Sequence, residues 1–322
     1  MIRFDKYEWT AISIMASLFI LVGFIQGWSV SLVILNMCII SAIMTMGVNI
    51  SWGYAGVINF GVMGFLAMGG LAAVLVSYPP VKEAWHVGGS GLGISFILLV
   101  ALVTSVYFIT KLVEKKSHKY WINGLVIFFG IIIIRYFFLN ATARIEEVDP
   151  ALAGFLGGAN LPIIFSWSVG GFFAGGVAFV IGKVALGLRS DYLAIVTLGI
   201  SEIVVSVLKH EEWLSRGVKN VIGLKRPVPY EINLQSSDWF INMVTWFNSS
   251  KLNEIIDPNK KQEMLTNLVI DSSSLFVKLN YAVSFFIVMI LIYYFANKAQ
   301  ISPWGRMMRA IRDNEVSANA MG

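Results

Sequence analysis

Residues 49–70 read NISWGYAGVINFGVMGFLAMGG, and this stretch decides how the rest of the chain is interpreted. It lies inside an apolar sequence, yet six glycines and two asparagines interrupt it. In hydrocarbon every backbone N–H and C=O must be paired, so irregular backbone survives only where protein or a water-filled cavity satisfies it. A hydrophobic segment that is interrupted in this way points to a transport path. Close helix packing at small residues is the alternative that the stretch leaves open.

The composition predicts that most of the chain lies in a bilayer. Of its 322 residues 57% are apolar and only 13% are charged, and the mean hydropathy is +0.73. Soluble domains carry about 25% charged residues. The apolar runs approach the roughly 20 residues that a membrane-spanning helix needs. We therefore expect an all-α, polytopic helical membrane protein.

The lengths of the apolar runs predict about eight transmembrane helices. A third crossing follows the broken segment and ends at Pro79-Pro80. The other predicted crossings are residues 9–25, 30–47, 92–113, 121–139, 162–188, 192–208 and 279–296.

Lys and Arg predict which side of the membrane each loop occupies. With a cytoplasmic N-terminus, the inner segments carry twelve bases, whereas the short outer loops carry only Lys82 and Arg144. This bias in short loops is the quantity that sets orientation. Residues 209–278 are excluded, because long segments translocate largely regardless of charge. We expect them to form a folded periplasmic excursion with short amphipathic helices and a turn at residues 257–259.

The sequence gives no sign of enzyme chemistry or of nucleic-acid binding. Cys38 is a single cysteine, and three widely separated histidines do not form a zinc-type cluster. Gly182-Lys183 fails the phosphate-loop pattern, which needs Ser or Thr where Val184 stands. No nucleophile lies near a base, and the membrane holds no pair of carboxylates. We expect no catalytic residue, no metal and no cofactor bound by this chain.

Two features of the later crossings have more than one interpretation. Glu202 lies in the seventh crossing, where a carboxylate is costly unless it is paired or faces water. It faces a path, partners a neighbouring helix, or lies near the surface because the crossing begins later. Small residues repeat at four-residue spacing in the sixth crossing, which predicts a helix-packing face; they are Gly171 and Gly175, and also Ala174, Ala178 and Gly182.

Residues 302–322 predict a short basic amphipathic helix on the cytoplasmic side. Ser302-Pro303 can begin a helix, and Arg306, Arg309 and Arg312 recur at three-residue spacing. Arg312 and Glu315 can pair at i, i+3 on such a helix. From the residues alone, the helix either touches anionic lipid headgroups or docks a cytoplasmic partner.

Three stretches resemble one family. They are WGYAG at residues 52–56 with the glycines that follow, LRSDYLAIVTLG at residues 188–199, and the stretch at residues 302–322. Together they are similar to the permease subunit of branched-chain amino-acid ABC importers of the LivM-like type.

The resemblance implies roles for named residues. Residues 298–322 would form the loop that docks into the ATPase, with coupling candidates Arg306, Arg309, Arg312, Glu315 and Gly322. Residues 49–70 would form a wall of the translocation path, and the path candidates are Asn49, Tyr54, Gly56, Asn59, Phe60 and Glu202. Helix-end N–H groups near residues 49–56 are expected to meet a substrate carboxylate.

The resemblance also implies partners and a location. Such permeases pair with a second permease subunit, two ABC ATPase subunits that bind ATP-Mg, and a periplasmic binding protein, in the bacterial inner membrane. The family has Gly where this chain has Ser190, and polar residues where it has Val57-Ile58. Further membrane helices are expected beyond residue 322. A urea or short-amide importer remains the same-class alternative, and a passive channel or scaffold is the alternative of another class.

Overall fold

The computed structural model describes residues 6–112, 116–150, 154–185, 187–188 and 190–320. Every regular element in these ranges is a helix, so the predicted all-α fold class is confirmed. The α-helices are α1 (Lys6–Gln26), α2 (Trp28–Asn49), α3 (Val62–Ser77), α4 (Lys82–Leu112), α5 (Lys116–Glu146), α6 (Ile163–Ala185), α7 (Ser190–His210), α8 (Glu212–Ser215), α9 (Glu231–Gln235), α10 (Asp238–Phe247), α11 (Ser249–Asn253), α12 (Pro258–Ile301), α13 (Pro303–Asp313) and α14 (Glu315–Ala320).

Seven helices in the described part of the chain are long and apolar enough to cross a membrane. Six correspond to predicted crossings, and the seventh, α12, contains the predicted crossing at residues 279–296 within its 44 residues. The remaining predicted crossing is α3, which has 16 residues. At 1.5 Å per residue α3 is about 24 Å long, shorter than the roughly 30 Å hydrocarbon core. It is a short apolar helix covered by its neighbours.

The chain forms two compact units. The first comprises Met1–Asn59 and Arg226–Gly322, and the second comprises Phe60–Lys225. The boundary at residues 59 and 60 falls within the stretch that the sequence singles out. The predicted periplasmic excursion is divided between the two units, since α8 belongs to the second and α9 to α11 belong to the first.

In the first unit α2 packs against both α1 and α12. Polar groups fix these contacts. The Ser31 hydroxyl donates to the Phe19 carbonyl at 2.8 Å, and the Asn36 amide donates to the Lys278 carbonyl at 3.1 Å. The Lys278 ammonium in turn donates to the Ser29 hydroxyl. Each pairing satisfies a polar group inside an otherwise apolar helix bundle.

The short helices α9, α10 and α11 pack against the N-terminal half of α12. Their core is built from Phe240 and Val244 of α10 against Val269 and Val277 of α12. Short amphipathic helices are therefore confirmed here. The predicted turn at residues 257–259 is wrong, because Asp257 caps α12 by accepting the Asn259 N–H at 3.0 Å, with Pro258 in the first turn. Proline in a first turn marks a helix start as readily as a loop.

In the second unit α3 packs against α6 and α7, and α4 pairs with α5. A loop at residues 154–162 closes one end of this unit. Its Leu156 carbonyl accepts the N–H of Val81 and the indole N–H of Trp85. Gly157 has φ +75°, and a Cβ there would lie 2.3 Å from the Pro79 carbonyl oxygen, so the close approach requires glycine.

Of the two predicted small-residue registers of α6, the one with half-buried Ala174, Ala178 and Gly182 is on the packing face, and the one with Gly171 and Gly175 is not. Ser166 and Gly170 are buried, and Gly170 lies against Gly69 and Ala72 of α3. Gly171 and Gly175 are exposed, and a Cβ at either position would have open space. Both registers carry small residues, so their spacing alone could not select the face.

Candidate functional site at the broken helix

The break lies six residues later than the sequence indicated. The helix of α2 continues past Asn49 as a five-residue π-helical turn, Ile50–Tyr54, and regular helix resumes only at Val62. Isolated π turns are rare and occur mostly within α-helices, frequently at functional sites. The irregular backbone is therefore confined to residues 55–61.

A left-handed glycine closes the π turn. Gly56 has φ +68°, and its N–H donates to the Trp52 carbonyl while the Val57 N–H donates to the Ser51 carbonyl. This is a widened form of the glycine-ended closure found at many helix C-termini. The expectation that N–H groups near residues 49–56 meet a carboxylate is wrong, because this is the carbonyl end of a helix and its N–H groups are already bonded.

The next carbonyl of the same helix end is held by an arginine. Arg312 donates from Nη1 to the Gly53 carbonyl at 2.8 Å. Its Nε and Nη2 donate to Asp313 Oδ1 at 3.0 and 2.9 Å. A cation at a helix C-terminus is electrostatically favourable. Two of the three stretches that carry the family resemblance therefore meet in the first unit.

The basic helix at the C-terminal side forms as predicted. The Ser302 hydroxyl caps α13 by accepting the Gly305 N–H at 3.4 Å, with Pro303 in the first turn. Arg306 donates to the Ile301 carbonyl, and Arg309 donates to the Gln300 and Gly305 carbonyls. All three arginines of α13 thus bind backbone carbonyls of the first unit.

The predicted pairing of Arg312 with Glu315 is not supported by the backbone. The helix ends at Asp313, Asn314 is extended with φ −161°, and Glu315 begins the separate helix α14. The two residues are therefore not three apart on one continuous helix. Gly322, the last coupling candidate, lies outside the described residues.

The second unit begins at Phe60, two residues before α3, and both Phe60 and the first turn of α3 are bonded to α7. The Phe60 N–H donates to Thr197 Oγ1 at 3.2 Å, and the Gly64 N–H donates to Ser201 Oγ at 2.8 Å. Both hydroxyl-bearing residues are buried. Neither Thr197 nor Ser201 was predicted to have a role. The sequence pattern that could have indicated them is a pair of hydroxyl-bearing residues spaced four apart, and therefore on one face, in an apolar helix.

The path candidates do not all share one environment. Asn49 is exposed, Tyr54 and Gly56 are half-buried, and Asn59 is half-buried and has interaction partners. These four lie in the first unit. Phe60 and Glu202 lie in the second unit, and both are exposed. Among the described residues Glu202 has no hydrogen bond or ion pair, which removes the interpretation of a structural partner within its own unit.

An apolar cavity of about 300 Å³ adjoins the π turn within the first unit. Ile50 and Tyr54 line one side, α12 forms a second side, and Trp304 and Met308 of α13 complete it. The π turn and α13, which are joined by Arg312, are therefore not in close contact where this cavity lies.

Residues 150–322 match the family described as branched-chain amino acid transport system, permease component. The chain belongs to this permease family. The permease is also similar to the high-affinity branched-chain amino acid transport system permease protein LivM of Escherichia coli strain K12, with 26% identity over 154 residues. The match covers 48% of this chain and 32% of that relative, so the permease spans about a third of the relative's length. No solved structure matches it significantly.

Proposed function

We propose that the chain is the permease subunit of an ATP-driven importer that carries branched-chain or other hydrophobic amino acids across the bacterial inner membrane. The family match supports the transport role, and the relative's name supports the substrate class. The N-terminus is cytoplasmic, as the distribution of Lys and Arg favours. A second permease subunit, two ABC ATPases and a periplasmic binding protein complete the importer.

The observation that carries the proposal is the form of α13. This helix follows the 44-residue α12 and is capped at its start. Its arginines are bound to backbone carbonyls of the same unit, which leaves an exposed apolar stripe of Trp304, Met307 and Ile311. A contiguous apolar stripe that is exposed to water on the cytoplasmic side marks an interaction site, so we expect a protein partner to cover it. An ABC ATPase is the partner that supplies energy to such a permease.

The proposed path uses the broken segment and α7. Irregular backbone at residues 55–61 is acceptable at membrane depth where it lines a cavity. Glu202 is exposed and unpaired among the described residues, as expected of a carboxylate that faces water. Asn49, Tyr54, Gly56, Asn59 and Phe60 remain candidates for the same path.

Co-purification with the candidate ATPases tests the docking role. We expect Met307→Glu combined with Ile311→Glu to lose the ATPases, since both changes place carboxylates on the exposed stripe. Trp246→Glu is the matched control, because Trp246 is also an exposed aromatic residue but lies on α10. If the wild-type chain never retains the ATPases, or retains them equally in the double variant, α13 is a membrane-surface helix and the proposal fails.

Reconstitution separates the alternatives. In proteoliposomes with the binding protein and ATPases, an amino-acid importer accumulates leucine only when ATP is present. A urea or short-amide importer accumulates urea under the same conditions and leaves leucine outside. Flux that continues without ATP would identify a passive channel.

A further inference from the structure

We propose that Arg312 is a positioning residue that ties the docking helix α13 to the carbonyl end of the π turn, so that a displacement of α13 moves the break in the membrane-spanning helix. The inference rests on the proposed function, since it assigns the link between the energy source and the path. It differs from docking, because the contact lies within this chain.

The first observation is the geometry of the guanidinium. It donates to the Gly53 carbonyl from one nitrogen and to Asp313 from two others. Arginine presents its donors in a rigid planar fork, so a single side chain fixes the angle between its two acceptors. Asp313 is the last residue of α13, and Gly53 lies in the π turn. The fork therefore holds the end of one helix at a fixed orientation to the end of the other.

The second observation is the shape of the helix end. The Arg312 side chain passes over Gly56, where an added Cβ would lie 2.6 Å from Arg312 Cγ and 3.2 Å from Arg312 Cβ. Two features of the structure therefore favour glycine at position 56. It adopts the left-handed conformation at φ +68°, and it leaves room for the arginine.

The third observation is an apolar cavity of about 300 Å³ beside this link, with Ile50 and Tyr54 on one side and Trp304 and Met308 on the other. A void contributes no van der Waals contacts on its open side. The polar link at Arg312 therefore supplies a connection between α13 and the π turn that close packing does not supply where the cavity lies.

Hydrogen exchange of the full chain in nanodiscs tests the link itself. We expect Arg312→Gln to speed exchange of the Gly56 and Val57 amides about fivefold, because loss of a charge-assisted bond loosens the helix end. Arg306→Gln is the control, since Arg306 bonds the Ile301 carbonyl at the start of α13 and not the π turn. Unchanged exchange in Arg312→Gln would overturn the proposal whether or not the ATPases bind.

A double-mutant cycle tests the contact with Gly56. Gly56→Ala alone places a methyl group against Arg312, and Arg312→Ala alone removes the link. If the two side chains meet, Gly56→Ala disturbs exchange at residues 55–58 less in the Arg312→Ala background than in the wild type, because the clash is gone and only the backbone cost remains. Strict additivity of the two changes would contradict the contact.

Coupling in the assembled importer is the functional readout. We expect transport per ATP, measured in complexes that contain the ATPases, to fall about fivefold or more in Arg312→Gln. Arg312→Lys keeps the charge but not the fork, and we expect transport per ATP to stay low in this variant as well. Normal transport per ATP in Arg312→Gln would sink the proposal and leave the importer assignment intact. Loss of ATPase binding from the wild-type chain would instead sink the importer assignment.

Discussion

At the scale of single residues, two hydroxyl groups of α7 determine how α3 begins. Thr197 accepts the N–H of Phe60, which precedes α3, and Ser201 accepts the N–H of Gly64, which also donates to the Gly61 carbonyl at 3.1 Å. The first N–H groups of any helix lack intrahelical acceptors. In an apolar bundle no water replaces them, so the hydroxyl groups of a neighbouring helix are the available acceptors.

Ser201→Ala is expected to destabilise the chain by about 0.5 to 1.5 kcal/mol, because it removes one of the two acceptors of the Gly64 N–H and leaves only the Gly61 carbonyl. Ser206→Ala is the control on the same helix, since Ser206 is exposed. The measurement is the free energy of unfolding in mixed micelles titrated with SDS. Equal effects of the two substitutions would contradict the assignment of a structural acceptor to Ser201.

The hydrogen-bond partner of each side chain was the part of the site that the sequence predicted least well. The three arginines of α13 were predicted as a set, and their helix and its Ser302 cap are present. Local spacing suggested Glu315 as the partner of Arg312, whereas the acceptors that the described residues supply are Asp313 and Gly53. Gly53 is distant in sequence, and periodicity carries no information about such a contact.

At the scale of elements, the outer helices form a small core of their own. Phe240 is fully buried, with 0% of its surface exposed, between α10 and α12, and its ring lies 5.6 Å from that of Phe276. Trp239 meets the same Phe276 ring at 6.1 Å. These contacts fix short helices that would be unstable in isolation.

Phe240→Ala is expected to cost about 3 to 5 kcal/mol, because it removes a large buried side chain and leaves a cavity. Phe247→Ala is the matched control on the same helix, since Phe247 is 71% exposed. Hydrogen exchange of the α10 and α12 amides reports the local free energy of opening. Loss of protection in both variants, or in neither, would show that this core does not hold the outer helices together.

The existence of elements was predictable, but their ends were not. Glycines and asparagines at residues 49–70 correctly indicated a break. The helix nevertheless includes Asn49 and continues through Gly53, because it widens into a π turn before it ends. The predicted crossing at residues 279–296 likewise begins at Pro258, because polar residues continue α12 beyond the apolar run. Hydropathy reports where a helix is apolar and not where its hydrogen bonds stop.

At the scale of the whole molecule, composition was the strongest predictor. Its apolar content alone indicated a polytopic helical membrane protein, and seven described helices of membrane-spanning length support it. The division into two compact units was not predictable. It separates Asn59 from Phe60, adjacent residues within one stretch of mostly apolar sequence.

Orientation is testable with the two ends of α4. In a Cys38→Ser background, Lys82→Cys and Lys111→Cys place single thiols at opposite ends of this 31-residue helix. Both positions are exposed. We expect an impermeant thiol reagent to label Lys82→Cys in intact spheroplasts and Lys111→Cys only after lysis. The reverse pattern would place the N-terminus outside.

The length of α12 has a thermodynamic consequence. At 44 residues it is about 66 Å long and unbroken, with α10 packed on its N-terminal half and α13 following its C-terminal end. Because α12 is one continuous helix, a tilt at one end is also a tilt at the other. If the proposed ATPases favour one tilt by some factor when they bind nucleotide, a ligand at the N-terminal end must change their nucleotide affinity by the same factor, because linkage is reciprocal. Under the proposed function, an antibody fragment against α10 is therefore expected to change the affinity of the ATPases for ATP.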